Sequence, residues 1–170
     1  TKLVALPATD GKLRPEQLRN PAAWLGDEHH PQPRVLSITQ STESGTLYTT
    51  DEIGALCDEA HRLGMLVHLD GARIANAAAA LGGNVRAFTI DVGVDVISFG
   101  GTKNGLMYGE AVVFCRPELA ARAAHVRKQL AQLPSKVRYI SAQFLAILAD
   151  DLWLRLAEHA NAMATQLAAA

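Results

Sequence analysis

An α/β fold built on a mostly parallel sheet is what this sequence predicts, and three features predict it. Short runs rich in Val, Ile and Leu recur through the first part of the chain. Helical patterns separate most of those runs, and Gly, Pro and Asp punctuate the joins. Strands of this composition spaced by helices make βαβ units, and a parallel sheet accepts near-continuous apolar strands.

The elements follow in order. Leu3–Leu6 is the first strand-like run. A helix over Arg14–Asn20 comes next, its second residue Pro15 being suited to a first helical turn. Asp10-Gly11 and Pro31-Gln32-Pro33 mark turns and loops, and Val35–Thr39 is the second strand. Thr49-Thr50-Asp51-Glu52 supplies capping chemistry for a helix over Thr50–Leu63 that stops at Gly64. Ile53, Leu56, Ala60 and Leu63 give that helix one apolar stripe. Strands over Met65–Leu69 and Val94–Phe99 flank a helix over Ala72–Leu81, ended by Gly82-Gly83. Ala111–Cys115 follows after a short connection, which suits an antiparallel partner. Beyond Pro117 the pattern is helical throughout: Glu118–Leu130, Lys136–Leu148 and Leu152 onward. The expected division is therefore an α/β layer over 1–116 and a helical segment over 117–170.

Composition narrows the function classes. The chain has 170 residues, 49% of them apolar, a net charge of −1 and a pI near 6.6. That balance lacks the basic footprint of a nucleic-acid or anionic-membrane partner. No apolar run is long enough to span a bilayer. Cys57 and Cys115 are far apart in apolar surroundings without metal-ligand spacing, which reads as two buried free thiols in a reducing cytosol. The chain opens on Thr1 and closes on Ala168-Ala169-Ala170 inside a helical pattern, so it reads as the middle of a longer enzyme.

Two stretches carry the chemistry. His68-Leu69-Asp70-Gly71-Ala72-Arg73 ends one strand with a carboxylate and, three residues on, a guanidinium. Ser98-Phe99-Gly100-Gly101-Thr102-Lys103-Asn104 ends another with a lysine in a glycine-lined turn. Ligands of open α/β sheets bind outside the carboxyl ends of strands. An amine nucleophile, an acid and an anion anchor placed there are what pyridoxal 5′-phosphate (PLP) chemistry requires. Each residue also has a plainer reading: Asp70 as a helix cap, Lys103 as a solvated loop lysine. Arg73 weighs against the first, because a cation beside a helix N-terminus is unfavourable without an accompanying anion. The lysine segment has neither the glycine pattern nor the order of a Walker loop, and Gly82-Gly83 lacks dinucleotide spacing.

These stretches, with Gln40-Ser41-Thr42-Glu43-Ser44-Gly45-Thr46-Leu47-Tyr48 and the later basic segments Arg127-Lys128 and Ser135-Lys136-Val137-Arg138, resemble the threonine aldolase family. That family lies in the beta-eliminating lyase group of fold type I, aspartate-aminotransferase-like PLP enzymes. The resemblance implies the central part of a PLP-binding large domain, with helices leading to a small domain. It implies that Asp70 meets the pyridine nitrogen, Lys103 carries the cofactor as a Schiff base, Thr102 lies near it, and Arg73 grips the substrate carboxylate. The implied reaction splits a β-hydroxy-α-amino acid into glycine and an aldehyde, in a cytoplasmic homo-oligomer, dimer or tetramer. The family's phosphate loop and stacking histidine match positions before Thr1, so the chain by itself is expected to be inactive and the catalytic base is not assigned. The same residues would serve a β-eliminating lyase or an aminotransferase, and a non-catalytic α/β binding domain is the alternative from another class.

Several residues have two readings. His68 shares a strand face with Asp70 and is either a partner of that acid or a hydrogen-bonded core histidine. Gln40, Thr42 and Glu43 end the Val35 strand and are placed to approach the cofactor, Glu43 equally being a loop carboxylate. Arg127, Lys128, Lys136 and Arg138 reach a phosphate or a neighbouring subunit, or form a solvated helical face. His29-His30 has no third residue at metal-ligand spacing.

Overall fold

Four strands form one sheet in the order β1 (Val35–Thr39), β2 (Leu66–Gly71), β3 (Val96–Phe99), β4 (Ala111–Phe114). The molecule is described by a computed structural model covering residues 2–170. β1, β2 and β3 run parallel, and β4 returns antiparallel to β3. Helix α1 (Arg19–Ala22) continues a 3-10 turn over Pro15–Leu18. Helix α2 (Thr50–Arg62) connects β1 to β2, and α3 (Ile74–Ala80) opens the β2 to β3 connection. The tail holds α4 (Ala123–Gln129), α5 (Arg138–Leu148) and α6 (Leu152–Ala168).

Local chemistry accounts for the best-formed helix. Thr49 accepts a hydrogen bond from the Glu52 amide, and the Glu52 carboxylate accepts one from the Thr49 amide at 2.7 Å. This reciprocal box satisfies two of the donors a helix start leaves free. Gly64, at φ 72°, takes the left-handed conformation that closes the helix. Ile53, Leu56, Cys57 and Ala60 face inward, fully buried.

Both crossovers step across the sheet in the same direction, and right-handed connections then place both helices on one face. Leu36, Ile38, Val67, Leu69 and Ile97 line that face in the core with α2 and α3 residues. Phe99, on the same face, meets Phe144 of α5 and Trp153 of α6 with ring centroids about 6 Å apart. Asn76 and Asn161 exchange hydrogen bonds of 2.9 and 3.0 Å and fasten α3 to α6. The opposite face carries Ser37, His68, Asp70 and Ser98, with Val35 and Val112 exposed.

One expected strand is absent. Leu3–Leu6 makes no ladder; Leu3 is 88% exposed, and the segment borders a hollow with Pro31–Ser37. An apolar run becomes a strand only where a neighbour offers backbone partners, and none is placed against this one. The helix expected over Arg14–Asn20 is a 3-10 turn running into α1, and that over Glu118–Leu130 divides into a 3-10 turn and α4. Among the described residues no helix is long and apolar enough to cross a membrane.

Asp95, at the start of β3, is buried and ties the far end of the sheet together. It accepts from the Val67 amide at 2.7 Å, His61 Nε2 at 2.8 Å and Arg116 at 3.3 Å. Burial pushes its carboxyl pKa up, but His61, the Val67 amide and Arg116 outweigh that and hold it below the ordinary value. A depressed carboxyl stabilises the fold above its unfolded pKa, and that contribution is lost as pH falls through the folded value. Asp95→Asn is expected to cost about 2 kcal/mol, the scale of hydrogen bonds to a charged group. The loss should be largest near neutrality and shrink as pH falls below the ordinary carboxylate value, about 4, toward the lower folded value at which the native carboxyl protonates. Urea unfolding of both proteins across pH 3–7 checks it.

Candidate functional site

The sheet brings the two motif ends together. Asp70 ends β2, and Ser98 of β3 is its register partner, so Gly100 to Lys103 leave the sheet beside it. Asp70 is half-buried. Its Oδ1 accepts from the Ala72 amide at 2.9 Å and closes a local turn; the helix cap of the plainer reading does not form, because α3 begins only at Ile74, behind Arg73. The second oxygen takes no protein donor among the described residues and is open to a ligand.

Lys103 lies in a short 3-10 turn, exposed, with Gly105 in a left-handed conformation after it. Close approach shapes this turn. A Cβ on Gly100 would stand 2.5 Å from Cα of Ala72, and one on Gly101 would meet the Gly109 carbonyl oxygen. Only glycine lets the lysine turn lie against the Asp70-Gly71-Ala72 backbone. Asn104 pins the turn from below: its amide donates to the Gly100 carbonyl, and its Oδ1 accepts from the Ala75 amide at 3.2 Å. Glu110 closes it from the β4 side, accepting from the amides of Gly101 at 2.9 Å and Thr102 at 3.4 Å. Sequence reading passed over both Asn104 and Glu110. Asn104, adjoining Lys103, was the visible signal; Glu110 had none until β4 folded back.

Arg73 extends toward the end of β1 and meets Glu43, with nitrogen–oxygen distances of 2.9 and 3.5 Å. The Arg73 hydrogen bond and charge hold the Glu43 carboxyl below its usual range, and the Lys103 charge adds to them. Loop residues after three successive strands thus share one electrostatic neighbourhood. The fork of Arg73 already binds a carboxylate there, which demonstrates the geometry a carboxylate ligand needs.

Other candidates go elsewhere. Gln40 is buried, holding both backbone groups of Tyr48, and Thr42 bonds Thr46; both fix the loop and neither is free for a ligand. His30 stacks on Trp24 and bonds Asp27 at 2.7 Å. Arg127, Lys128, Lys136 and Arg138 are exposed, Arg138 lying over the Tyr139 ring. Cys57 is buried and its thiol is pushed up to about 12, chiefly by burial. Lys103 borders a hollow of about 120 Å³ between α3 and α6, small for a cofactor. The larger hollow, about 680 Å³ along the β1 edge, includes none of Asp70, Arg73 or Lys103, and the chemistry of the donors outweighs its size.

The family model for beta-eliminating lyases matches residues 1–170. The chain belongs to the beta-eliminating lyase family. Within this family its relatives include a low specificity L-threonine aldolase of Pseudomonas aeruginosa, 44% identical over 99% of this chain and 49% of that protein. Another, from a Pseudomonas species, is 44% identical over 95% of this chain and 46% of its own length. A solved structure of Leishmania major threonine aldolase superimposes with a TM-score of 0.91 at 32% identity, covering 99% of this chain and 49% of that one. The threonine aldolase resemblance and the α/β fold expected from the sequence are thereby borne out. The chain spans about half the length of these beta-eliminating lyase relatives.

Proposed function

We propose that the full-length protein is a PLP-dependent lyase that cleaves a threonine-like β-hydroxy-α-amino acid into glycine and an aldehyde. The observation that carries the reading is the placement of a carboxylate, a guanidinium and a lysine amine at the carboxyl ends of adjacent parallel strands. Gly100, which lets the lysine turn lie against the Asp70 strand end, and the unshared oxygen of Asp70 fit a flat aromatic cofactor with a basic ring nitrogen. Bound PLP supplies an electron sink for the broken bond.

The chain's own residues supply position and charge. Lys103 is the residue that would hold the cofactor, its amine being the nucleophile in the turn. Thr102, its amide held by Glu110, lies beside the anchor. Asp70 holds the proton on the ring nitrogen with its remaining oxygen, and Arg73 exchanges Glu43 for the substrate carboxylate. Fixing that carboxylate would orient the Cα–Cβ bond for cleavage, an orientation effect. The reaction balances as one proton passing from the β-hydroxyl to a base and one proton returned to Cα, so that the substrate would divide into an aldehyde and glycine with no net gain or loss. The partners proposed are the amino-acid substrate and further copies of the same chain, in the cytoplasm. Residues 1–116 would serve as part of the cofactor domain and 117–170 as the approach to a second.

Incubating the full-length protein and PLP with threonine is expected to yield acetaldehyde and glycine in equal amounts. Formation of 2-oxobutanoate and ammonia instead would assign a β-elimination, and absence of a PLP absorption band would leave a non-catalytic domain. Arg73→Lys is expected to raise KM about tenfold or more, since an ammonium cannot reproduce the two-pronged contact. Steady-state kinetics in the full-length protein check this.

A further inference from the structure

Arg73 meets a carboxylate of its own chain at the place where the carboxylate of a substrate is proposed to bind. Glu43 reaches it from the loop after β1, with nitrogen–oxygen distances of 2.9 and 3.5 Å. The loop is held by its backbone: the Thr42 amide donates to the Thr46 carbonyl and the Gly45 amide to the Thr42 carbonyl, both at 3.0 Å. Glu43 is thus delivered from a fixed stem, yet its side chain has no other hydrogen-bond partner among the described residues. That side chain is 76% exposed, against 35% for Arg73. It can swing into water without leaving a buried carboxylate behind, and an anion arriving in its place keeps the less exposed cation paired.

We propose that Glu43 is a built-in competitor for the substrate carboxylate, an internal ligand that an amino acid must displace from Arg73. The proposal rests on the PLP reading above, with Arg73 as the carboxylate anchor. An exposed ion pair is weak, so Glu43 occupies the anchor part of the time instead of closing it. A ligand whose site is competent only part of the time binds more weakly by that fraction. Tethering matters as well, because the loop keeps the competitor at a high effective concentration beside the guanidinium. A simple carboxylic acid, attached at one point, has to displace it unaided. An α-amino acid is also attached through its amine near Lys103, so its carboxylate competes as a tethered group too. Glu43 in this way favours α-amino acids over carboxylic acids that lack the amine. The hydrogen bond to Arg73 holds the Glu43 carboxyl below its usual range, so it stays charged and able to compete at neutral pH.

The test uses the full-length protein loaded with PLP and titrated with glycine or with ethylamine, which has the amine but no carboxylate. Binding is followed by the change in the PLP absorption band. Glu43→Gln, which removes the charge and keeps the size, should tighten glycine by about two- to fivefold, the scale of an exposed ion pair. Ethylamine should bind as it does to the wild type. In an Arg73→Gln background glycine should bind more weakly, and Glu43→Gln should no longer tighten it, since the two act through one contact. Unchanged or weaker glycine binding in Glu43→Gln overturns the proposal, the weaker case making Glu43 a support for Arg73 instead of its competitor. An equal gain for ethylamine overturns it too, because the charge then acts on the amine site at large. If ethylamine binds too weakly to measure, the Arg73→Gln background decides between those two. Should Glu43→Gln not fold, Glu43→Ala is read the same way. A wild type that takes up no PLP overturns the underlying reading and this one with it. A loaded wild type in which Arg73→Gln leaves glycine binding unaltered overturns the anchor and its competitor together. A loaded protein with a working anchor and no gain from Glu43→Gln overturns the competitor alone.

Discussion

Lys103→Ala in the full-length protein is expected to abolish covalent attachment of PLP and to lower threonine cleavage by orders of magnitude. In the proposed reading the amine is the anchor and has no substitute within the turn; Arg73, the other nearby cation, is committed to Glu43. A guanidinium also stays protonated and is a poor nucleophile. The variant should fold normally, because Lys103 is exposed and its side chain holds no protein partner among the described residues. Mass spectrometry after borohydride reduction reads the attachment directly, since a stable adduct at Lys103 forms only in the wild type. Retention of turnover and of the reduced adduct in the alanine variant would place the anchor elsewhere.

Gly100→Ala is expected to damage both fold and site. The added Cβ would stand 2.5 Å from Cα of Ala72, a backbone atom that cannot rotate away. Strands β2 and β3 must part or the lysine turn must lift, and overpacking of this kind costs about 1–3 kcal/mol. The strain falls on the Gly100 amide bond to the Gly71 carbonyl, now 3.1 Å, the last link between the two motifs. Thermal melting should show the lost stability. PLP titration should show weakened uptake even below the melting range, because the distance between Asp70 and Lys103 is what has been changed. An alanine variant with wild-type melting temperature and cofactor affinity would show that the close approach is not needed.

The parts of this molecule legible in the sequence were those encoded locally. The Thr49–Glu52 box and the Gly64 stop depend on residues a few positions apart, so pattern alone found them. The antiparallel return of β4 followed from the shortness of its connection. Leu3–Leu6 misled because strand formation depends on a partner, and the sequence of a segment says nothing about whether one is present. The same divide runs through the site. Asp70, Arg73 and Lys103 announce themselves by residue type at strand ends. Glu110 became visible only when β4 carried it back to the Gly101 amide, and Glu43 acquired a role only from where Arg73 points. Gln40, read as near the cofactor, is turned inward by the backbone of Tyr48.

The strand order has a consequence for how the chain assembles. Each strand pairs with the one made just before it, β1 with β2, β2 with β3, β3 with β4. Every pairing therefore closes a loop of moderate length, and the entropy of each closure is met before the next is attempted. A chain emerging from the ribosome can add strands in the order of synthesis, with α2 and α3 laid down as each crossover completes. Asp70 is in place on β2 before Lys103 is made, so the second motif docks against a finished first. Assembly of this kind keeps contact order low for a parallel sheet, an architecture that otherwise folds slowly.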